Sequence, residues 1–145
     1  METELKKLPI GIQTFEKIRE ENYIYADKTR FLVNMIDNGE IYFFARPRRF
    51  GKSLTVSTLE AMFSGRKELF GGLYAEEFMN RADYRASPVI LLDMGKTVTG
   101  HGIEVMERTI SKLTLAQAER HGVEIDGNMS CGEILDKSIS EVYKR

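Results

Sequence analysis

Apolar positions along the chain fall into runs of two periods, and the periods predict the elements. The opening "LPIGIQTFEKIREENYIYADKT" reads as a short helix around residues 15–21 followed by an extended "YIY". Asp27 is placed to cap a helix whose Phe31, Leu32, Met35 and Ile36 share one face, and Gly39 suits the position past its end. "IYFFA", residues 41–45, is a continuous β-branched and aromatic run, the pattern of a strand buried on both faces. "KSLTVSTLEAMFSG" returns to helical spacing, with Leu54, Thr58, Ala61 and Met62 on one side and a stop near Gly65. "ELFGGLYAEEF" is a looser apolar segment broken at Gly71 and Gly72. "PVILLDM" reads as a second buried strand, with Pro88 tolerated at its first position. Ile103, Met106, Ile110 and Leu113 mark a long helix ending at Gly122. Ser130 and Glu133 form a capping box for a last helix with Leu135, Ile139 and Val142 as its buried stripe.

Strand, helix, strand, helix, helix is the order of an α/β domain with a parallel sheet flanked by helices. Two strands are too few to complete such a sheet. The expectation is therefore a partial domain over residues 1–145, in which 1–40 is an N-terminal helical segment and 41–145 an incomplete α/β core.

Composition narrows this picture only a little. Of 145 residues, 42% are hydrophobic and 30% charged, which suits a globular domain. The single cysteine, Cys131, leaves no internal disulfide and fits a reducing compartment. The start "METELKKLP" has no apolar leader core and no run approaches a membrane span, so a cytoplasmic location with no membrane partner is expected. Net charge is −1, and the chain carries no basic stripe. "RPRR" is the local exception, where Arg46, Arg48 and Arg49 crowd towards Lys52.

That basic stretch leads into the candidate chemistry. In "IYFFARPRRFGKSLT" the tripeptide Gly51-Lys52-Ser53 has the order that closes a phosphate-binding loop, GxxxxGK[ST]. In such a loop, backbone N–H groups curl around a phosphate at a helix N-terminus. The lysine ammonium bridges phosphate oxygens, and the hydroxyl binds Mg²⁺. The pattern's first glycine would fall at position 46, which is Arg46, and Pro47 supplies a turn of fixed φ while removing one N–H donor. Arg48 and Arg49 are placed either to compensate through charge-assisted phosphate contacts or to remain solvated. The site expected is Arg48, Arg49, Phe50, Gly51, Lys52, Ser53 and Leu54 around the phosphates of a nucleotide, with Lys52 catalytic and Ser53 on Mg²⁺.

From Leu8 to Tyr74 most strongly, and over almost the whole chain, the sequence resembles a bacterial family of predicted AAA-ATPase-like proteins. "LPIGIQTFEKIREENYIYADKT" and "FARPRRFGKSLTVSTLEAMFSGRKELFGGLYA" carry the likeness. The resemblance implies that "RPRRFGKS" is the family's own form of the loop, the Walker A element, so that Arg46 is a family feature. It also implies an ATP-hydrolysing parent, often followed by a domain similar to PD-(D/E)XK nucleases, through which any nucleic acid would be met. An acidic strand resembling "LIDEYD", the Walker B element, is expected after "ISEVYKR", where this sequence stops. On that reading the chain binds nucleotide without hydrolysing it, and an unpaired sheet edge favours self-association. The alternatives are a nucleic-acid-associated module gripping backbone phosphate with "RPRR", or a degenerate loop serving only as scaffold.

Other polar residues read more plainly. Asp93 is followed by Met94 and Gly95, so it reads as a cap rather than as the acid of a metal site. His101, His121 and Cys131 match no zinc spacing. Tyr23, Tyr25, Tyr42, Phe43 and Phe44 read as core, Glu76 and Glu77 as a solvated helix face, and Asp27 and Lys28 as a helix cap and its neighbour.

Overall fold

The computed structural model describes residues 5–39, 41–45, 47, 49–96, 102–126 and 128–144. Among them regular structure is helical throughout, which overturns the expected parallel α/β sheet. The helices are α1 (Phe15–Glu20), α2 (Thr29–Asn38), α3 (Lys52–Phe63), α4 (Ala75–Met79), α5 (Ile103–Arg120) and α6 (Cys131–Tyr143). Single 3₁₀ turns cover Lys67–Phe70 and Met94–Lys96.

The physical reason for the missing strands lies in their surroundings. β-Branched and aromatic content gives a segment only a preference for a pleated, half-buried surface, and a strand exists only against a neighbour. In residues 41–45, Ile41 is 94% and Phe43 95% exposed, so the run is not a buried strand and its aromatics are not core. Tyr42 instead donates its hydroxyl to the Met35 carbonyl near the end of α2, 2.7 Å away. The "PVILL" run lies along α5. Leu91 N–H donates to Gln117 Oε1 at 3.3 Å, and the His121 ring Nε2 sits 2.9 Å from the Val89 carbonyl. Side chains of a helix thus serve the backbone groups that a ladder was expected to serve.

The chain divides into two compact units, Met1–Ser87 and Pro88–Arg145. The first has a core of Phe15, Leu32, Val33, Ala61, Met62, Leu69, Phe70, Ala75 and Met79. Phe15 is its aromatic centre, 4.8 Å from the Phe70 ring and 5.2 Å edge-on to Tyr25. α1 packs on α3, and the Phe15 N–H donates to Ser57 Oγ at 2.9 Å. α3 closes as its sequence predicts: Gly65 is left-handed at φ 76°, and Gly65 and Arg66 N–H groups donate to the Met62 and Ala61 carbonyls. Arg66 then reaches Glu16 at 3.1 Å, Glu20 at 3.2 Å, and Glu68, tying the end of α3 to α1. Arg19 caps the neighbouring turn, donating to the Leu69 and Gly71 carbonyls at 2.7 and 2.6 Å.

α2 buries Thr29, Leu32 and Val33, while Phe31 faces solvent. The cap position of α2 is Lys28 and not the expected Asp27, which stands one residue before it. Asp27 Oδ1 accepts from Thr29 N–H and Oγ1, and its Oδ2 accepts from Tyr74 N–H at 2.8 Å, joining α2 to the start of α4. Partial burial pushes the Asp27 carboxyl up, but the Tyr74 and Thr29 hydrogen bonds together hold it below its ordinary value. A depressed carboxyl stabilises the fold fully above its unfolded pKa of about 4 and loses that contribution as pH falls through the folded value. Asp27→Asn keeps one acceptor and loses the charge. Its urea midpoint should lie below wild type at pH 7, with the gap closing as pH drops under about 4; an equal gap at pH 7 and pH 3 contradicts the assignment.

In the second unit α5 packs against α6 around Ala118, Val123 and Val142. α5 ends at left-handed Gly122, whose N–H and that of Val123 return to the Glu119 and Ala118 carbonyls. The predicted capping box of α6 is formed: Ser130 Oγ accepts from Glu133 N–H, and the Glu133 carboxylate accepts from Ser130 N–H at 2.9 Å. The buried stripes differ from the spacing-based ones. α5 buries Thr109, Thr114 and Ala118, leaving Ile103 and Met106 exposed. α6 buries Ile134, Ser138 and Val142, leaving Ile139 exposed.

Candidate functional site

The site is built at the N-terminus of α3. A helix leaves its first four N–H groups without intrahelical partners, and they carry the positive end of the helix dipole. Lys52 and Ser53 are the first two residues of α3, and Gly51 is its cap, left-handed at φ 75°. Arg49 is left-handed too, at φ 67°, while Phe50 between them is not. Alternation of right- and left-handed residues is a backbone pattern that can turn successive N–H groups towards an anion, and Arg49 and Gly51 supply two left-handed positions. A non-glycine residue held left-handed costs roughly 1–2 kcal/mol, so the loop shape at Arg49 is imposed on the chain and not preferred by it.

Lys52 Nζ donates to the Pro47 carbonyl at 3.1 Å, folding the lysine back across the loop that precedes it. Thr55 anchors the first turn of the helix, its N–H and Oγ1 both donating to the Gly51 carbonyl. Ser53 is exposed, and its hydroxyl has no partner among the described residues. Phe50 is exposed and Leu54 half-buried. Arg46 and Arg48 lie outside the described residues, as does His101.

An open cleft of about 810 Å³ lies over this loop. One wall is Arg49, Gly51, Lys52, Ser53 and Leu54; the other is the segment 9–13, including Pro9, Ile12 and Gln13. Sequence reasoning missed this second wall. Its local signal was present in "PIGI", which forms a turn with Ile12 N–H donating to the Pro9 carbonyl at 3.3 Å and Gly11 left-handed at φ 75°. Nothing local tells that the turn faces Lys52. That follows from α1 packing on α3, with Phe15 N–H bound to Ser57.

The remaining candidates have local partners of their own or are exposed. Asp93 Oδ1 accepts from Gly95 N–H at 3.0 Å, closing a turn. Glu76 accepts from Gly72 N–H at 2.7 Å ahead of α4, and Glu77 is exposed. Cys131 is a half-buried thiol at the start of α6. Among the described residues no three His, Cys, Asp or Glu side chains gather as metal ligands, and no helix is long and apolar enough to cross a membrane.

A Gly51-Lys52-Ser53 turn thus opens α3, with Arg49 and Gly51 left-handed ahead of it. Over residues 9–145 the chain matches the family described as predicted AAA-ATPase, and it belongs to that family. It is 45% identical over 112 residues to an "Uncharacterized protein in vnfD 5'region" of Azotobacter chroococcum mcd 1. That match covers 76% of this chain and 21% of the relative, so the chain spans about a fifth of the relative it resembles. No solved structure matches.

Proposed function

We propose that this chain binds ATP with Mg²⁺ through the loop 49–54. The observation that carries the reading is the alternating left-handed backbone at Arg49 and Gly51, leading directly into a helix that begins Lys52-Ser53. Backbone N–H groups supply the cradle, the Lys52 ammonium the moving positive charge, and the Ser53 hydroxyl an oxygen for the cation. Arg49 lines the same cleft and adds a guanidinium at its rim. Membership of the predicted AAA-ATPase family supports ATP as the nucleotide.

Hydrolysis needs more than this loop: an acid to support the metal shell and a group to orient water. Asp93 is engaged in a turn with Gly95, and neither role is assigned to it. The reading is therefore binding, with Lys52 the residue that would meet the transferring phosphate.

Calorimetric titration of the chain with ATP, with and without Mg²⁺, tests it. Wild type should bind more tightly with Mg²⁺, and Ser53→Ala should lose most of that gain while keeping metal-free affinity. The exposed hydroxyl makes a folding defect small, within about 0.5 kcal/mol. An equal Mg²⁺ effect in both proteins would remove Ser53 from the cation.

A further inference from the structure

The cleft is longer than its phosphate end requires. Its volume, about 810 Å³, falls in the range of about 300–1,000 Å³ that encloses whole small molecules. Away from Lys52 and Ser53 its lining changes character: Pro9, Ile12, Ile18 and Leu54 are apolar, and Gln13 is the polar residue among them. Gln13 is exposed, and its carboxamide has no hydrogen-bond partner among the described residues. It is also held in place. Thr14 precedes Phe15, which is buried in the core and bonded to Ser57 of α3, and the turn at Gly11 fixes the other side. Apolar walls with one carboxamide carried on a held backbone suit a flat heteroaromatic ring with a polar edge.

We propose that the 9–13 segment is a nucleobase seat and that Gln13 selects adenine, a step that rests on the phosphate reading of loop 49–54. A carboxamide presents one donor and one acceptor side by side. Adenine offers the complement, an exocyclic amine beside a ring-nitrogen acceptor, whereas the matching edge of guanine offers two acceptors. Ile12, Pro9 and Leu54 cover the faces of the ring, and the carboxamide reads its edge. The segment thereby sets which nucleotide the loop holds, while the loop sets the affinity for its phosphates.

The test compares ATP, GTP and inorganic tripolyphosphate, each titrated into wild type, Gln13→Leu, Gln13→Glu and Lys52→Ala. Wild type should favour ATP over GTP by at least about tenfold, the value of a good two-point base contact. In Gln13→Leu that ratio should fall to within about threefold, with tripolyphosphate affinity and the urea midpoint unchanged. Gln13→Glu presents acceptors only, which face the two acceptors on that edge of guanine, and should bind GTP no better than wild type does. An ATP:GTP ratio unaltered in Gln13→Leu overturns the base seat, as does wild type binding tripolyphosphate as tightly as ATP. In either case Lys52-dependent tripolyphosphate binding leaves the phosphate reading standing. Tripolyphosphate binding that is absent, or indifferent to Lys52→Ala, overturns both.

Discussion

Lys52→Ala should weaken ATP binding by roughly 10- to 100-fold and leave the fold unchanged. A charge-assisted hydrogen bond contributes about 1.5–3 kcal/mol, and each 1.4 kcal/mol is tenfold in affinity. In the structure the ammonium rests on the Pro47 carbonyl, an exposed contact whose removal should move stability by no more than about 0.5 kcal/mol. Lys52→Arg separates charge from position. It keeps the cation but replaces a compact ammonium by a planar fork, and at a site built for one small donor group it should bind more weakly than wild type. Calorimetry and urea unfolding of the three proteins decide the matter. Equal affinity in Lys52→Ala removes the lysine from the site; equal affinity in Lys52→Arg reduces its role to bulk charge.

Phe15→Ala should destabilise the first unit by about 3–5 kcal/mol, a large part of the stability of a domain this size. The side chain is fully buried, tilted against Phe70 and edge-on to Tyr25, so truncation removes both the transferred area and two ring contacts. Phe15→Leu refills much of the volume and should cost clearly less. Urea unfolding at pH 7 reads both. If Phe15→Ala unfolds with the wild-type midpoint, the core is not centred where the structure places it. The variant also loosens the approach to Gln13, so nucleotide binding should weaken with it even though Phe15 does not line the cleft.

Helices were legible in the sequence where the local code is self-sufficient. The stops at Gly65 and Gly122 and the Ser130–Glu133 box depend on residues a few positions apart, and each is present. Buried faces were less legible. Helical spacing puts Leu135, Ile139 and Val142 on the buried stripe, but α6 buries Ile134 and Ser138 alongside Val142. Ser138 can enter the interior because its hydroxyl donates to the Ile134 carbonyl at 2.6 Å, a solution that hydropathy alone does not reveal. The two apolar runs failed as strands because strand formation depends on partners that composition does not specify. At the candidate site, Gly51, Lys52 and Ser53 could be read from their order. The left-handed Arg49 could not, since arginine has no preference for that conformation. Nor could the wall at residues 9–13, which reaches the loop only through packing of α1 on α3.

The links between α1 and α3 have a mechanical consequence. Phe15 N–H on Ser57 joins the start of α1 to the middle of α3, and Arg66, just past the end of α3, holds Glu16 and Glu20 of α1. Two fastenings along one axis remove the freedom to pivot as well as to slide. Widening the cleft by moving one wall would therefore break the Phe15–Ser57 bond and strain the Arg66 contacts, so its gape is built into the core of the first unit.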